Sequence, residues 1–218
     1  MRRLATLPFC RIALAILFGA LLIPLNVHAA KESIVLVVGD SISAEYGLGN
    51  AKGWVALLTA RLKADQLPQR VVNASISGDT TAGGRSRLPT LLSQYKPAVV
   101  VIELGGNDAL RGGTLAATRV NLDDMVKKAK SAKAKVLLLG VKLPPNYGAN
   151  YLRDFEAVFA DVARNHKVSL VPHLFEGFGE KLEYFQADRI HPTAEAQPRI
   201  LDNVWPALKP LLVPAKSK

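Results

Sequence analysis

The 218 residues contain a single cysteine, Cys10, and it precedes an apolar run near the N-terminus. No disulfide and no thiol nucleophile exists downstream of it, so a cysteine hydrolase is excluded. Its place ahead of the apolar run also argues against a lipid-anchored cysteine at a processing site. Histidine is scarce. Beyond His28 only His166, His173 and His191 remain, with none of the paired spacing that a zinc site uses. Aromatic residues make up 6% of the chain and are not interleaved with the lysines, which removes the usual pattern of a nucleic-acid surface. The one dinucleotide-like glycine cluster, Gly47-Leu48-Gly49, lacks its third glycine and does not open a helix directly after a strand.

Long hydrophobic runs are equally few. The longest, Ile12 to Leu25, is too short for a comfortable membrane span and follows Arg2, Arg3 and Arg11. With Val27 and Ala29 as small residues at the −3 and −1 positions, residues 1–29 have the layout of a secretory signal cleaved after Ala29. Left uncut, the same stretch would be an N-terminal anchor. The expected mature chain, 30–218, carries 25 basic and 18 acidic residues, a net charge of +7, and has the length of one domain. Its densest basic run, Lys127 to Lys135, reads as a solvated helix face.

What is present is a regular alternation. Near-continuous apolar runs at 34–38, 71–74, 98–104, 135–139 and 168–171 predict strands buried on both faces, as a parallel sheet requires. Amphipathic stretches at 53–64, 81–95, 115–132, 151–165 and 194–212 predict the helices that cover it. The expected fold is an α/β three-layer α/β/α sandwich on a five-stranded parallel sheet. In such a sheet, chemistry is expected beyond the carboxyl ends of the strands. Three polar or glycine-rich segments begin there: Gly39-Asp40-Ser41, Ser77-Gly78-Asp79 and Gly105-Gly106-Asn107-Asp108. A strand order of 2-1-3-4-5 would make the three loops neighbours.

A fourth segment, Asp188-Arg189-Ile190-His191, precedes the last helix and supplies an acid and a base three residues apart. That offset lets the carboxylate hold the imidazole Nδ1 proton and leaves Nε2 free for a hydroxyl, which is the help a serine needs to act as nucleophile. Ser41, Asp188 and His191 are therefore the expected catalytic residues. The Ser41 and Gly78 backbone N–H groups and the Asn107 amide are the expected oxyanion donors. Asp40, Asp79 and Asp108 read as turn-forming groups that hold these loops. His166 sits at a helix C-terminus and His173 after a strand, each with a structural explanation and no acid at a suitable offset. Leu110 and Arg111, together with Pro145 and Tyr147, are the candidates for substrate contact.

These four blocks, in this order over about 150 residues, resemble the SGNH (GDSL) hydrolase family with its flavodoxin-like fold. Ser43-Ala44-Glu45-Tyr46-Gly47 and Leu143-Pro144-Pro145-Asn146-Tyr147-Gly148 are similar to its periplasmic bacterial branch of acyl-CoA thioesterases, lysophospholipases and arylesterases. The resemblance implies a small-molecule acyl ester, thioester or lysophospholipid substrate, broad specificity and no cofactor. Two positions depart from the pattern: Ile42 stands where leucine is usual, and Arg189 where glycine is. The resulting expectation is a periplasmic or secreted monomer that binds no nucleic acid and touches membrane surfaces only transiently. A carbohydrate acetylesterase with the same machinery and a non-catalytic periplasmic binding module are the alternatives.

Overall fold

Valine, leucine and isoleucine fill two strands so completely that no side chain from Val35 to Val38 or from Val99 to Ile102 is more than 1% exposed. Those strands, β1 (Ser33–Gly39) and β3 (Val99–Glu103), pair in parallel at the centre of the sheet. The computed structural model describes residues 33–49 and 52–212; the expected signal and its cleavage site lie outside them. β2 (Gln69–Asn73), β4 (Lys135–Leu139) and β5 (Ser169–Val171) complete an all-parallel sheet in the order β2-β1-β3-β4-β5. The order reverses between β2 and β3, on either side of β1, so the loops after β1, β2 and β3 share one edge of the molecule.

Helix α1 (Trp54–Ala64) packs with the last helix, α6 (Gln197–Leu212), on one face of the sheet. On the other, α2 (Thr81–Tyr95) packs on α4 (Leu115–Ser131), and α4 on α5 (Ala149–His166). Thr80 and Thr114 cap α2 and α4, accepting from the Gly83 and Ala117 amides at 3.3 and 3.2 Å. Four helices end on a non-glycine residue in the left-handed region, at Gln66, Lys96, Lys133 and Lys167. Lys127 and Lys128 pair with Asp123 and Asp124 one turn back on α4, which makes the basic run a solvated, ion-paired face.

Sequence and structure differ in several places. The expectation of strands buried on both faces fails for β2, which begins two residues before the predicted run and has no fully buried residue, because it is an edge strand with a neighbour on one side alone. Gly106–Leu110 forms a five-residue helix, α3, too short to leave a periodic signal. The stretch from Ala194 begins as a 3-10 turn, Ala194–Ala196, before α6 proper.

Candidate active site

β1 delivers the chain at Gly39 into a tight turn. Asp40, 3% exposed, folds its carboxylate back to accept from the Ile42 amide at 3.1 Å, and the Ala44 amide closes on the Asp40 carbonyl at 2.8 Å. The turn lifts Ser41 to the end of the sheet, half-buried. Gly39 must be glycine here for lack of room: a Cβ would lie 2.7 Å from the Ser43 Cβ and 2.8 Å from Glu103 Oε2.

The acid and base come from a loop pinned at its neck by a bridge between Phe185 and Pro192 and by the Gln186 amide on the His191 carbonyl, 2.8 Å. Asp188 organises its tip. One carboxylate oxygen accepts from the Ile190 and His191 amides at 2.9 and 3.0 Å, the other from His191 Nδ1 at 2.7 Å. Burial pushes the Asp188 carboxyl up, but the His191 amide and ring and the Ile190 amide outweigh it and bring its pKa to about 2. Arg189, at φ 58°, occupies the left-handed conformation that favours glycine, so its departure from the family pattern is a local backbone strain. With Nδ1–H given to Asp188, His191 Nε2 is the acceptor for the Ser41 hydroxyl at 2.9 Å. A base, a hydroxyl and a carboxylate thus stand in one hydrogen-bonded line.

The loop after β2 lies against the nucleophile turn because the Ile76 amide donates to the Gly39 carbonyl at 3.0 Å. Gly78 has φ 78°, and Arg111 Nη2 holds its carbonyl at 2.8 Å. Asn107 stands in the first turn of α3, and its Nδ2 gives one hydrogen to Asp40 Oδ2 at 3.0 Å, leaving the second. Among the described residues, neither the Ser41 nor the Gly78 backbone N–H has a hydrogen-bond acceptor. Asp108 joins the second and third loops, accepting from the Thr81 amide at 2.8 Å and the Thr81 hydroxyl at 2.5 Å. Asp79 accepts from the Thr80 amide at 2.9 Å and from Arg87 at 2.8 Å. All three aspartates therefore shape loops.

Of the substrate candidates, Arg111 reaches the Gly78 loop and Leu110 is exposed beside it. Tyr147 stacks on Tyr151 at 5.8 Å, and Tyr151 lies within electrostatic reach of Asp108. Pro145 is exposed in the turn before α5. His166 is occupied by Asp123 at 2.5 Å, far along the chain from the serine loop, and His173 has no carboxylate partner among the described residues. No group of three His, Cys, Asp or Glu residues among those described is placed to hold a metal ion.

Sequence reasoning passed over several residues. The Tyr46 ring lies 4.4 Å from that of His191, and Gln186 Nε2 ties the two loops by donating to the Tyr46 carbonyl at 2.9 Å. Beneath the serine, Glu103 is 1% exposed and accepts from the Ser43 hydroxyl at 2.8 Å and the Asp40 amide at 3.3 Å; Trp54 Nε1 in turn donates to Ser43 at 3.2 Å. One signal did exist for Glu103: it is the only charged residue in an otherwise apolar run from Ala98 to Leu104.

A five-stranded parallel α/β sandwich with this cluster at its strand ends defines the class: an enzyme that hydrolyses carboxylic esters. The chain belongs to the GDSL-like Lipase/Acylhydrolase family, whose sequence pattern matches residues 37–198. It is 55% identical to Esterase TesA of Pseudomonas aeruginosa over 197 residues, covering 90% of this chain and 98% of that one. It is 41% identical to Thioesterase 1/protease 1/lysophospholipase L1 of Escherichia coli over 191 residues, 88% and 90% of the two chains. The crystal structure of a psychrotrophic esterase, EstA, from Pseudoalteromonas sp., inhibited by monoethylphosphonate, superimposes with a TM-score of 0.78 at 38% identity, covering 83% and 98%.

Proposed function

We propose that this enzyme is an exported serine esterase acting on fatty-acyl esters and thioesters, lysophospholipids among them, with Ser41 as nucleophile. The observation that carries the reading is the position of His191, 2.9 Å from the Ser41 hydroxyl through Nε2 and 2.7 Å from Asp188 through Nδ1. Nε2 takes the Ser41 proton as Oγ attacks the acyl carbonyl carbon, while Asp188 holds the ring and balances the imidazolium. The carbonyl oxygen, now negative, is received by the Ser41 and Gly78 amides and the free hydrogen of the Asn107 amide. Collapse expels the alcohol or thiol, which takes the proton back from Nε2. Water, deprotonated by the same nitrogen, then releases the acid and frees Ser41.

The fatty-acyl preference rests on the rim. Tyr46, Ile76, Leu110 and Ile190 are all large, apolar and more than 40% exposed, and each belongs to one of the four loops that carry the cluster. Such a collar favours an alkyl chain over a sugar. Names of the relatives agree, being an esterase and a thioesterase/lysophospholipase. The leader reading adds cleavage after Ala29, a mature chain of 30–218, a periplasmic or secreted destination and action as a monomer that meets lipid surfaces transiently. No helix among the described residues is long and apolar enough to cross a membrane.

The test is a chain-length series of nitrophenyl and acyl-CoA esters, with acetylated xylan beside them, on the purified mature protein and its Ser41→Ala variant. Turnover rising from acetyl to medium-length acyl chains, a fluorophosphonate label on Ser41, and loss of both in the variant are expected. Retention of most turnover by Ser41→Ala would sink the nucleophile assignment. Preference for acetylated xylan would replace the fatty-acyl reading with a carbohydrate esterase.

A further inference from the structure

Two carboxyl groups lie buried under the nucleophile turn, and the reaction as described uses neither directly. Asp40 and Glu103 face each other where β1 and β3 end, in register through the pair Gly39–Glu103. They are 3% and 1% exposed and close enough to hydrogen-bond through their carboxyls. Two carboxylates in such contact repel; with one proton between them, the pair keeps a single charge and gains a bond.

The remaining bonds decide where that proton belongs. Asp40 accepts from the Ile42 amide and the Asn107 side chain, while Glu103 accepts from the Asp40 amide and the Ser43 hydroxyl, itself held by Trp54. We propose that Glu103 is a positioning residue for catalysis: protonated and bonded to Asp40, it fixes that carboxylate so that Asn107 is held with its free amide hydrogen toward the oxyanion. Burial, and then the Asp40 charge, push the Glu103 carboxyl well above its ordinary range. Burial also raises Asp40, to about 6, but there its bonds to Ile42, Glu103 and Asn107 work against the rise. A charged acceptor also polarises the Asn107 amide, strengthening the donor it presents.

The inference rests on the reading of Asn107 as an oxyanion donor, and a double-mutant cycle separates the two. Turnover of a nitrophenyl ester is measured per active site, counted by fluorophosphonate titration, for Glu103→Gln, Glu103→Leu, Asn107→Ala and the double variant of the last two. Glutamine copies the protonated acid, accepting from Ser43 and donating to Asp40, and should keep kcat within about threefold. Leucine leaves Asp40 unsupported and should lower kcat roughly ten- to hundredfold at nearly constant KM. In the Asn107→Ala background the same leucine should cost less than about threefold, because its effect passes through the missing amide. Glu103→Asp, which retains polarity but withdraws from Asp40, should repeat the leucine result if the leucine variant does not fold. An equal loss in both backgrounds, unchanged kcat in Glu103→Leu or Glu103→Asp, or a glutamine variant as impaired as leucine would overturn the proposal. Unchanged kcat in Asn107→Ala would instead overturn the oxyanion reading itself.

Discussion

Ser41 and His191, the proposed nucleophile and base, are held by two different kinds of structure. Ser41 sits on a turn tied from beneath to a buried polar network running Trp54, Ser43, Glu103, Asp40, Asn107, spread over the turn after β1, α1, β3 and α3. His191 sits on a loop whose polar bonds are almost all local, within Gln186 to Pro192, and whose support is apolar: Phe175, Phe178, Tyr184 and Phe185, with ring centroids 5.6–6.2 Å apart. Asp40 and Glu103 are sealed from water, whereas the Asp188 side chain is 38% exposed. The side proposed to receive the oxyanion is therefore preorganised by long-range hydrogen bonds, which resist displacement, and the side proposed to supply the base by short-range turn chemistry on an aromatic bed. Charge that develops at the oxyanion needs fixed dipoles. A base that must take and return a proton needs a correct ring orientation more than water nearby, and the Asp188 carboxylate and the Tyr46 ring both bear on that orientation.

Breaking the base side should have the largest effect. His191→Ala is expected to lower kcat by about 10⁴–10⁶-fold while leaving Tm nearly unchanged, because the ring is bonded only to Ser41 and Asp188. A large fall in Tm would show that the loop depends on the ring and not the reverse. Next, Phe178→Ala empties the centre of the aromatic bed and should destabilise the fold by about 3–5 kcal/mol, read by urea denaturation. If that cost appears without a prior loss of activity on mild warming, the bed and the loop are not separately cooperative. The smallest effect is acid titration. The Asp188 pKa of about 2 lies below its ordinary value of 3.8, so Asp188 contributes stability that is complete above about pH 4 and lost as pH falls through about 2. The Tm gap between the parent and Asp188→Asn should therefore be widest near pH 5 and close toward pH 2. A gap constant across that range would mean the carboxylate acts by shape and not by charge.

The base side was the more legible of the two in sequence, for the same physical reason. Asp188 and His191 are three residues apart, and local geometry alone brings such a pair together. The sheet was legible too, since the apolar runs at 34–38 and 135–139 match β1 within one residue at each end and β4 without offset. Ser41, Gly78 and Asn107 stood out because they follow strand ends in a fold whose strand order brings those ends together. Glu103 did not, because its partners lie sixty and more positions away and only the β1–β3 register makes them adjacent. Tyr46 and Gln186 escaped for a similar reason: 140 residues separate them, and neither belongs to a periodic pattern. Of the substrate candidates, Arg111 is tied to the Gly78 loop and Pro145 is exposed in the turn before α5; a loop's composition says which side it lies on but not how far it leans.

The left-handed residues that end α1, α2, α4 and α5 have a consequence for engineering. Gln66, Lys96, Lys133 and Lys167 each hold a conformation that costs a side-chain-bearing residue about 1 kcal/mol, where glycine would be at ease. The three lysines recover part of this by setting a cation at the negative end of a helix, a benefit that salt weakens. The fold thus keeps an unused thermal reserve at four surface positions. It becomes most accessible in concentrated brine, where the lysines help least, and all four lie on elements that carry no group of the reacting cluster.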